Sequence, residues 1–179
     1  MNRHPHPETG PASRRISPAV AVAMILGAVA FAWPLFLRPD SGMSPEQAPI
    51  VFALVLPIVL AVVLAEITGG RMDARTLAML GVLAAVGTIL RPLSAGTAGF
   101  ELIFFVLILG GRVFGAGFGF ALGAITMVSS ALITSGVGPW LPYQMLAAGF
   151  VGLFAGLLPP ARGRAEIWLL VGYGMLSAF

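Results

Sequence analysis

Between residues 113 and 132 no side chain carries a charge, and Gly111, Gly115, Gly119 and Gly123 recur at four-residue spacing along this stretch. No other feature narrows the possible folds so far. A run of about 20 apolar residues is long enough to cross the roughly 30 Å hydrocarbon core of a bilayer as a helix. Residues four apart share one helical face, so the glycines strip that face to backbone. In lipid, helices associate by close packing, and small residues at this spacing let two backbones approach. The pattern predicts the inner helix of a bundle, packed through Gly111, Gly115, Gly119 and Gly123. It leads through Ser135-Gly136-Val137-Gly138-Pro139 into Trp140, Tyr143 and Gln144, an aromatic and amide cluster at one membrane surface.

The rest of the chain repeats the theme. It is 58% hydrophobic and only 9% charged, with a mean hydropathy of +0.97, whereas soluble domains are about half apolar and about a quarter charged. The expected fold is therefore all-α, a polytopic transmembrane helix bundle in the lipid bilayer. All ten basic residues are arginines at the ends of apolar runs, so the pI of 10.6 reports topology. A nucleic-acid surface would cluster them on one soluble face, and no nucleic-acid partner is expected. The absence of cysteine excludes disulfides, thiolate metal sites and cysteine nucleophiles. His4 and His6 lie in the N-terminal tail, which leaves no histidine for catalysis or metal binding in the membrane. No metal and no intrinsic cofactor is expected.

Residues 1–16 read as a disordered cytoplasmic tail. Spans are expected at 18–37, 49–67, 74–90, 113–132 and 140–158. The segment 100–110 measures only about 16 Å as a helix. Either its helix begins near Ala95, or irregular backbone from Ser94 to Gly99 lies at membrane depth, tolerated only inside protein or along a cavity. The last run, 167–179, is too short to span, and the chain reads as a C-terminally shortened version of a longer protein. Ser13-Arg14-Arg15 and Ala28-Val29-Ala30 resemble a secretion signal and its cleavage site, but the many spans that follow favour an uncleaved first span. Asp73 is placed to cap the third span, and Arg91-Pro92 is placed to end it. With a cytoplasmic N-terminus, Arg3, Arg14, Arg15, Arg71, Arg75, Arg112, Arg162 and Arg164 lie inside, and Arg38 and Arg91 outside. That agrees with the positive-inside rule for a multi-pass protein of the plasma membrane, and it requires the short fourth segment to cross.

Ionisable groups in or beside spans are costly and need a reason. Arg91 and Glu101 fall at the outer ends of the third and fourth spans, close enough to pair. They serve as an ion pair fixing the loop, or as polar contacts for a ligand entering from outside. Trp140, Tyr143 and Gln144 open the sixth span on the same side. Interfacial aromatics are common, but Gln144 lies one turn beyond Trp140, so a ligand could stack and hydrogen-bond there. Ser129, Ser130 and Thr134 are expected to bond back to their own backbone, and Glu66 and Arg112 to act as inner-surface anchors. Phosphate-loop motif and lysine are both missing. The bundle offers no histidine, no paired aspartates and no midplane carboxylate for proton coupling. The chain reads as a binder without its own energy source. Ala78, Gly81, Ala84, Ala85 and Thr88 line the third span with small residues, either for packing in the bundle or for docking a partner's helix.

From Arg75 to Pro160 the chain resembles the substrate-binding S component of energy-coupling-factor (ECF) transporters. The resemblance is carried by Leu77-Ala78-Met79-Leu80-Gly81-Val82-Leu83-Ala84-Ala85 leading to Arg91-Pro92, by Gly99-Phe100-Glu101, by Gly110-Gly111-Arg112, and by Gly115-Ala116-Gly117-Phe118-Gly119. The stretch Gly136-Val137-Gly138-Pro139-Trp140-Leu141-Pro142-Tyr143-Gln144-Met145 is most similar to the predicted cobalamin branch. The resemblance implies a core at 74–179 that lacks its sixth helix and most of its fifth, preceded by two extra spans within 17–73. It implies a substrate-capture subunit that binds a vitamin, cobalamin first, from outside. The partners implied are a transmembrane coupling subunit and two ATPase subunits. Small residues on the first core helix meet the coupling subunit in this family, which maps onto Gly81 and Ala85 with Ala84 and Thr88 as neighbours. Arg91, Glu101, Trp140, Tyr143 and Gln144 are the candidate ligand residues. The rival reading is a membrane enzyme or an accessory membrane subunit with no vitamin ligand.

Overall fold

The computed structural model describes residues 16–36, 48–94 and 101–177. Seven helices follow one another: α1 (Pro18–Phe36), α2 (Ala48–Thr68), α3 (Ala74–Ser94), α4 (Ile103–Phe114), α5 (Ala116–Ile133), α6 (Leu141–Leu157) and α7 (Arg164–Ser177). The described residues form no strand, and the chain is an all-α bundle of apolar helices. The tail, the first loop and the irregular segment before the fourth helix lie outside the described residues.

Two helix boundaries differ from the sequence reading. The stretch 113–132 is not one helix, because the chain turns at Gly115, whose φ of 99° is a backbone state that glycine alone adopts readily. Gly111 therefore belongs to α4, Gly119 and Gly123 belong to α5, and Gly115 is the corner between them. The third helix also runs past Arg91-Pro92 to Ser94. A proline removes one intrahelical hydrogen bond, and with only two residues beyond it that loss does not end the helix earlier.

Helix α5 is the centre. It packs against α6, α3, α4 and α2, and most of its residues are buried. Its approach to α6 is backbone to backbone. A Cβ on Gly152 would lie 2.6 Å from the Gly119 carbonyl carbon and one on Gly123 2.5 Å from the Gly149 nitrogen, and α4 meets α6 likewise, a Cβ on Gly111 lying 2.8 Å from the Gly152 carbonyl carbon. Carbon pairs sit best at about 3.5–4.0 Å, so these positions admit no side chain. The matching row on α6 is Ala148, Gly152 and Gly156, again four residues apart.

Helix α3 has two different faces. Leu80, Ala84 and Thr88 are buried, and a Cβ on Gly87 would stand 2.8 Å from the Thr126 methyl of α5. Gly81 and Ala85 point the other way and are exposed, with nothing within 4 Å of a Cβ on Gly81. Asp73 caps α3, its Oδ1 accepting the Thr76 N–H at 2.8 Å. The Thr76 side chain first, and then this N–H, hydrogen-bond the Asp73 carboxyl and hold it below its ordinary value of 3.8. A depressed folded-state pKa stabilises the fold above the ordinary value, and the contribution is lost as pH falls through the lower folded value. Asp73→Ala should therefore lower Tm at pH 7, and the gap to wild type should narrow in strong acid. Thermal unfolding at both pH values checks this, and a gap independent of pH would refute it.

Candidate functional site

At one end of the bundle, three helices and the residue Glu101 before α4 bring polar side chains to a single cavity. Arg91 follows Ala84 and Thr88 along the inner face of α3, which aims it at the core. Its guanidinium donates to the Ser130 hydroxyl of α5 at 3.3 Å and to Gln144 Oε1 of α6 at 3.4 Å. Glu101, just before α4, lines the same cavity of about 230 Å³, together with Met127, Ala148 and Ser177 of α7. Ser130 thus serves as a side-chain acceptor, whereas Thr134 bonds back to the Ser130 carbonyl at 2.8 Å.

Of the five candidate ligand residues, Arg91, Glu101 and Gln144 meet here and two do not. Tyr143 turns to α1, edge-on to Phe31 with ring centroids 5.9 Å apart. Trp140 is 56% exposed, and its ring covers Gly138, where a Cβ would overlap the indole. Tyr143 and Gln144 are consecutive, so a 100° step turns them apart, and Trp140 is the N-cap residue that precedes α6. Arg91 and Glu101 share the cavity, and of the two roles considered for them, the ion pair is not among those formed by the described residues. The ion pairs among the described residues are Glu66–Arg71 and Arg112–Glu166.

Both of those pairs sit at the opposite end. Glu66 is more than an anchor, being only 1% exposed. The Ser17 hydroxyl of the chain preceding α1 donates to Glu66 Oε1, and Arg71 Nη2 donates to the same atom at 2.8 Å. Its other oxygen lies against Gly117 in the first turn of α5. A cavity of about 300 Å³ opens there between Ser17, Arg71, Thr76 and the α4–α5 corner. Arg112 donates to both oxygens of Glu166, at 2.6 and 2.8 Å. It also donates to the Leu158 and Pro159 carbonyls at 2.7 and 3.0 Å. One guanidinium therefore ties α4 to the end of α6 and the start of α7.

The sequence reading missed Ser17, Arg71 and the α6 row. The row was visible as small residues at 148, 152 and 156, and the Glu66–Arg71 spacing as opposite charges across a tight turn. Ser17 carried no signal, because only the docking of α1 brings it within reach.

Residues 75–179, more than half of the chain, match the family model described as ECF transporter, substrate-specific component. No curated protein and no solved structure matches the chain.

Proposed function

Because the chain belongs to the family of ECF transporter substrate-specific components, we propose that it captures a vitamin in the Arg91 cavity and hands it to a membrane coupling subunit. Members of this family are substrate-binding transport subunits, not enzymes, and they act in the membrane with a coupling subunit and ATPases. The observation that carries the reading is the convergence of Arg91, Glu101 and Gln144 on one cavity. A largely apolar space with a few convergent polar groups suits a small ligand. The arginine distribution supports a cytoplasmic N-terminus and an Arg91 end that faces outward. The exposed Gly81–Ala85 face of α3 then offers the coupling subunit a close backbone approach. Ala84 and Thr88 support it from the buried side.

Branch resemblance makes cobalamin the first ligand to test. The cavity volume favours a second reading, a smaller vitamin, since about 230 Å³ falls below the roughly 300–1,000 Å³ of pockets that enclose drug-sized ligands. The test is to purify the chain without partners and measure retained and added cobalamin by visible absorbance, then other vitamins by calorimetry. Gln144→Ala should weaken binding roughly tenfold. Gly81→Leu and Ala85→Leu should impair uptake in cells with the coupling subunit and ATPases while binding stays intact. Equal loss of uptake and binding would place that face inside the bundle. Unchanged binding in Gln144→Ala would place the ligand away from this cavity, and no binding of any vitamin would favour an accessory subunit.

A further inference from the structure

We infer that α1 positions the ligand site: Phe31 holds Tyr143, and through it the first turn of α6, so that Gln144 faces Arg91. The inference rests on the reading that the Arg91 cavity receives the ligand. Helix α1 lies outside residues 75–179, which match the family model, and it packs directly on α6. Helix α6 carries two stripes of side chains about 100° apart. Gln144, Ala148 and Val151 line the Arg91 cavity. Tyr143 and Phe150, seven residues apart and so on one face, turn to α1.

The first turn of α6 needs such a holder. The close backbone approaches of α6 fall at Ala148, Gly149, Gly152 and Gly156, and Tyr143 and Gln144 lie a turn before them. Leu141 and Met145 are buried there, but they sit about 160° around the helix from Tyr143. Phe31 supplies the contact on the opposite side, and the turn is clamped between the two. Gln144 depends on that clamp. Arg91 reaches its Oε1 at 3.4 Å, beyond the usual N–H···O range of about 2.7–3.2 Å. A small rotation of α6 therefore parts them.

Helix α1 is itself seated on the bundle. Val20, Ala23 and Ala30 are buried and share a face with Gly27, where a Cβ would overlap the Phe150 ring. That ring also stands 6.1 Å from Phe120 of α5, so it is enclosed between α1 and α5. At the start of α1 the Ser17 hydroxyl accepts the Val20 N–H at 2.9 Å and donates to Glu66. Phe31 follows this seat, edge-on to Tyr143 at 72° with centroids 5.9 Å apart, within the range of about 4.5–7 Å that favours an aromatic pair. With its start and middle fixed, α1 presents Phe31 as a stop.

The test measures Kd by calorimetry for the full chain in detergent, with cobalamin and then each other water-soluble B vitamin as the probe. For whichever binds the wild-type protein, Phe31→Ala should weaken binding roughly two- to tenfold. Phe31→Leu keeps apolar bulk without a ring and should also weaken it, whereas Phe31→Tyr should restore wild-type affinity. Ile25→Ala removes a side chain of α1 that is 66% exposed and should leave Kd unchanged. In a Gln144→Ala background, Phe31→Ala should cost nothing further, because the two residues act as one unit. Size-exclusion elution and Tm report whether each variant is folded. Phe31 is 49% exposed, so its truncation leaves the core intact, and Phe31→Leu decides the matter if Phe31→Ala fails to fold. Unchanged Kd in Phe31→Ala overturns the inference, and so does a loss that is equal with and without Gln144. In either case the ligand site stands if Gln144→Ala still weakens binding. If no vitamin binds the monodisperse wild-type protein, the ligand-site reading falls and the inference with it.

Discussion

Gly119→Ala pushes α5 and α6 apart. A Cβ at this position would overlap the Gly152 carbonyl and stand 2.8 Å from the Gly111 Cα. Both obstacles are backbone, so no side chain can rotate away. In an open helix the change from glycine to alanine stabilises by about 1 kcal/mol. Overpacking a filled site costs about 1–3 kcal/mol, occasionally more, and contact with fixed backbone on two sides puts this one at the upper end. The steric term wins. The comparison is Gly81→Ala on the open face of α3, where a Cβ meets nothing within 4 Å and only the propensity gain remains. Thermal unfolding in detergent, followed by tryptophan fluorescence, should show Tm falling for Gly119→Ala and holding or rising for Gly81→Ala. Equal increases for both would mean that the two helices do not meet at this distance.

The second large effect is an asymmetry at the other end of the bundle. Glu66 is buried, while the Arg71 side chain is 42% exposed. Arg71→Ala leaves a buried carboxylate with the Ser17 hydroxyl but no cation, and breaking a buried pair in that direction costs about 3–5 kcal/mol. Glu66→Gln leaves an arginine that can turn to water, and its amide oxygen can still accept from Ser17. The cost is then nearer that of one hydrogen bond to a charged group, about 1.5–3 kcal/mol. Arg71→Ala should therefore lower Tm more than Glu66→Gln, and adding Glu66→Gln to Arg71→Ala should recover part of the loss. Equal and additive effects would show that the pair is solvated and does not tie the end of α2 to the turn that follows it.

How much of this was legible beforehand depended on how local each signal is. A membrane helix is specified by a run of apolar residues, so α1, α2 and α6 lie within a residue or two of the runs that predicted them. The Asp73 cap is likewise a property of neighbouring residues. The glycine row was visible, but the row treats 111, 115, 119 and 123 as one helix, and periodicity alone does not reveal a φ of 99° at Gly115. That corner depends on α4 and α5 having to pack against the same helix, α6. The candidate site was half legible for the same reason. Arg91, Glu101 and Gln144 stand out as polar residues at the end of apolar runs. Which of them meet depends on the rotation of each helix about its axis.

The amino-acid sequence by itself therefore determined the class of the molecule, the order of its helices, the small-residue faces and the family to which its residues 75–179 belong. Those properties follow from hydrophobicity and spacing along a chain, which are one-dimensional. Tertiary structure alone decided that Arg91 turns to Ser130 and Gln144 instead of pairing with Glu101, that Tyr143 faces α1, and that Glu66 is buried with Ser17 and Arg71. The physical reason is packing: α5 and α6 meet backbone to backbone, and that contact sets the helix rotations and so the neighbours of every polar side chain.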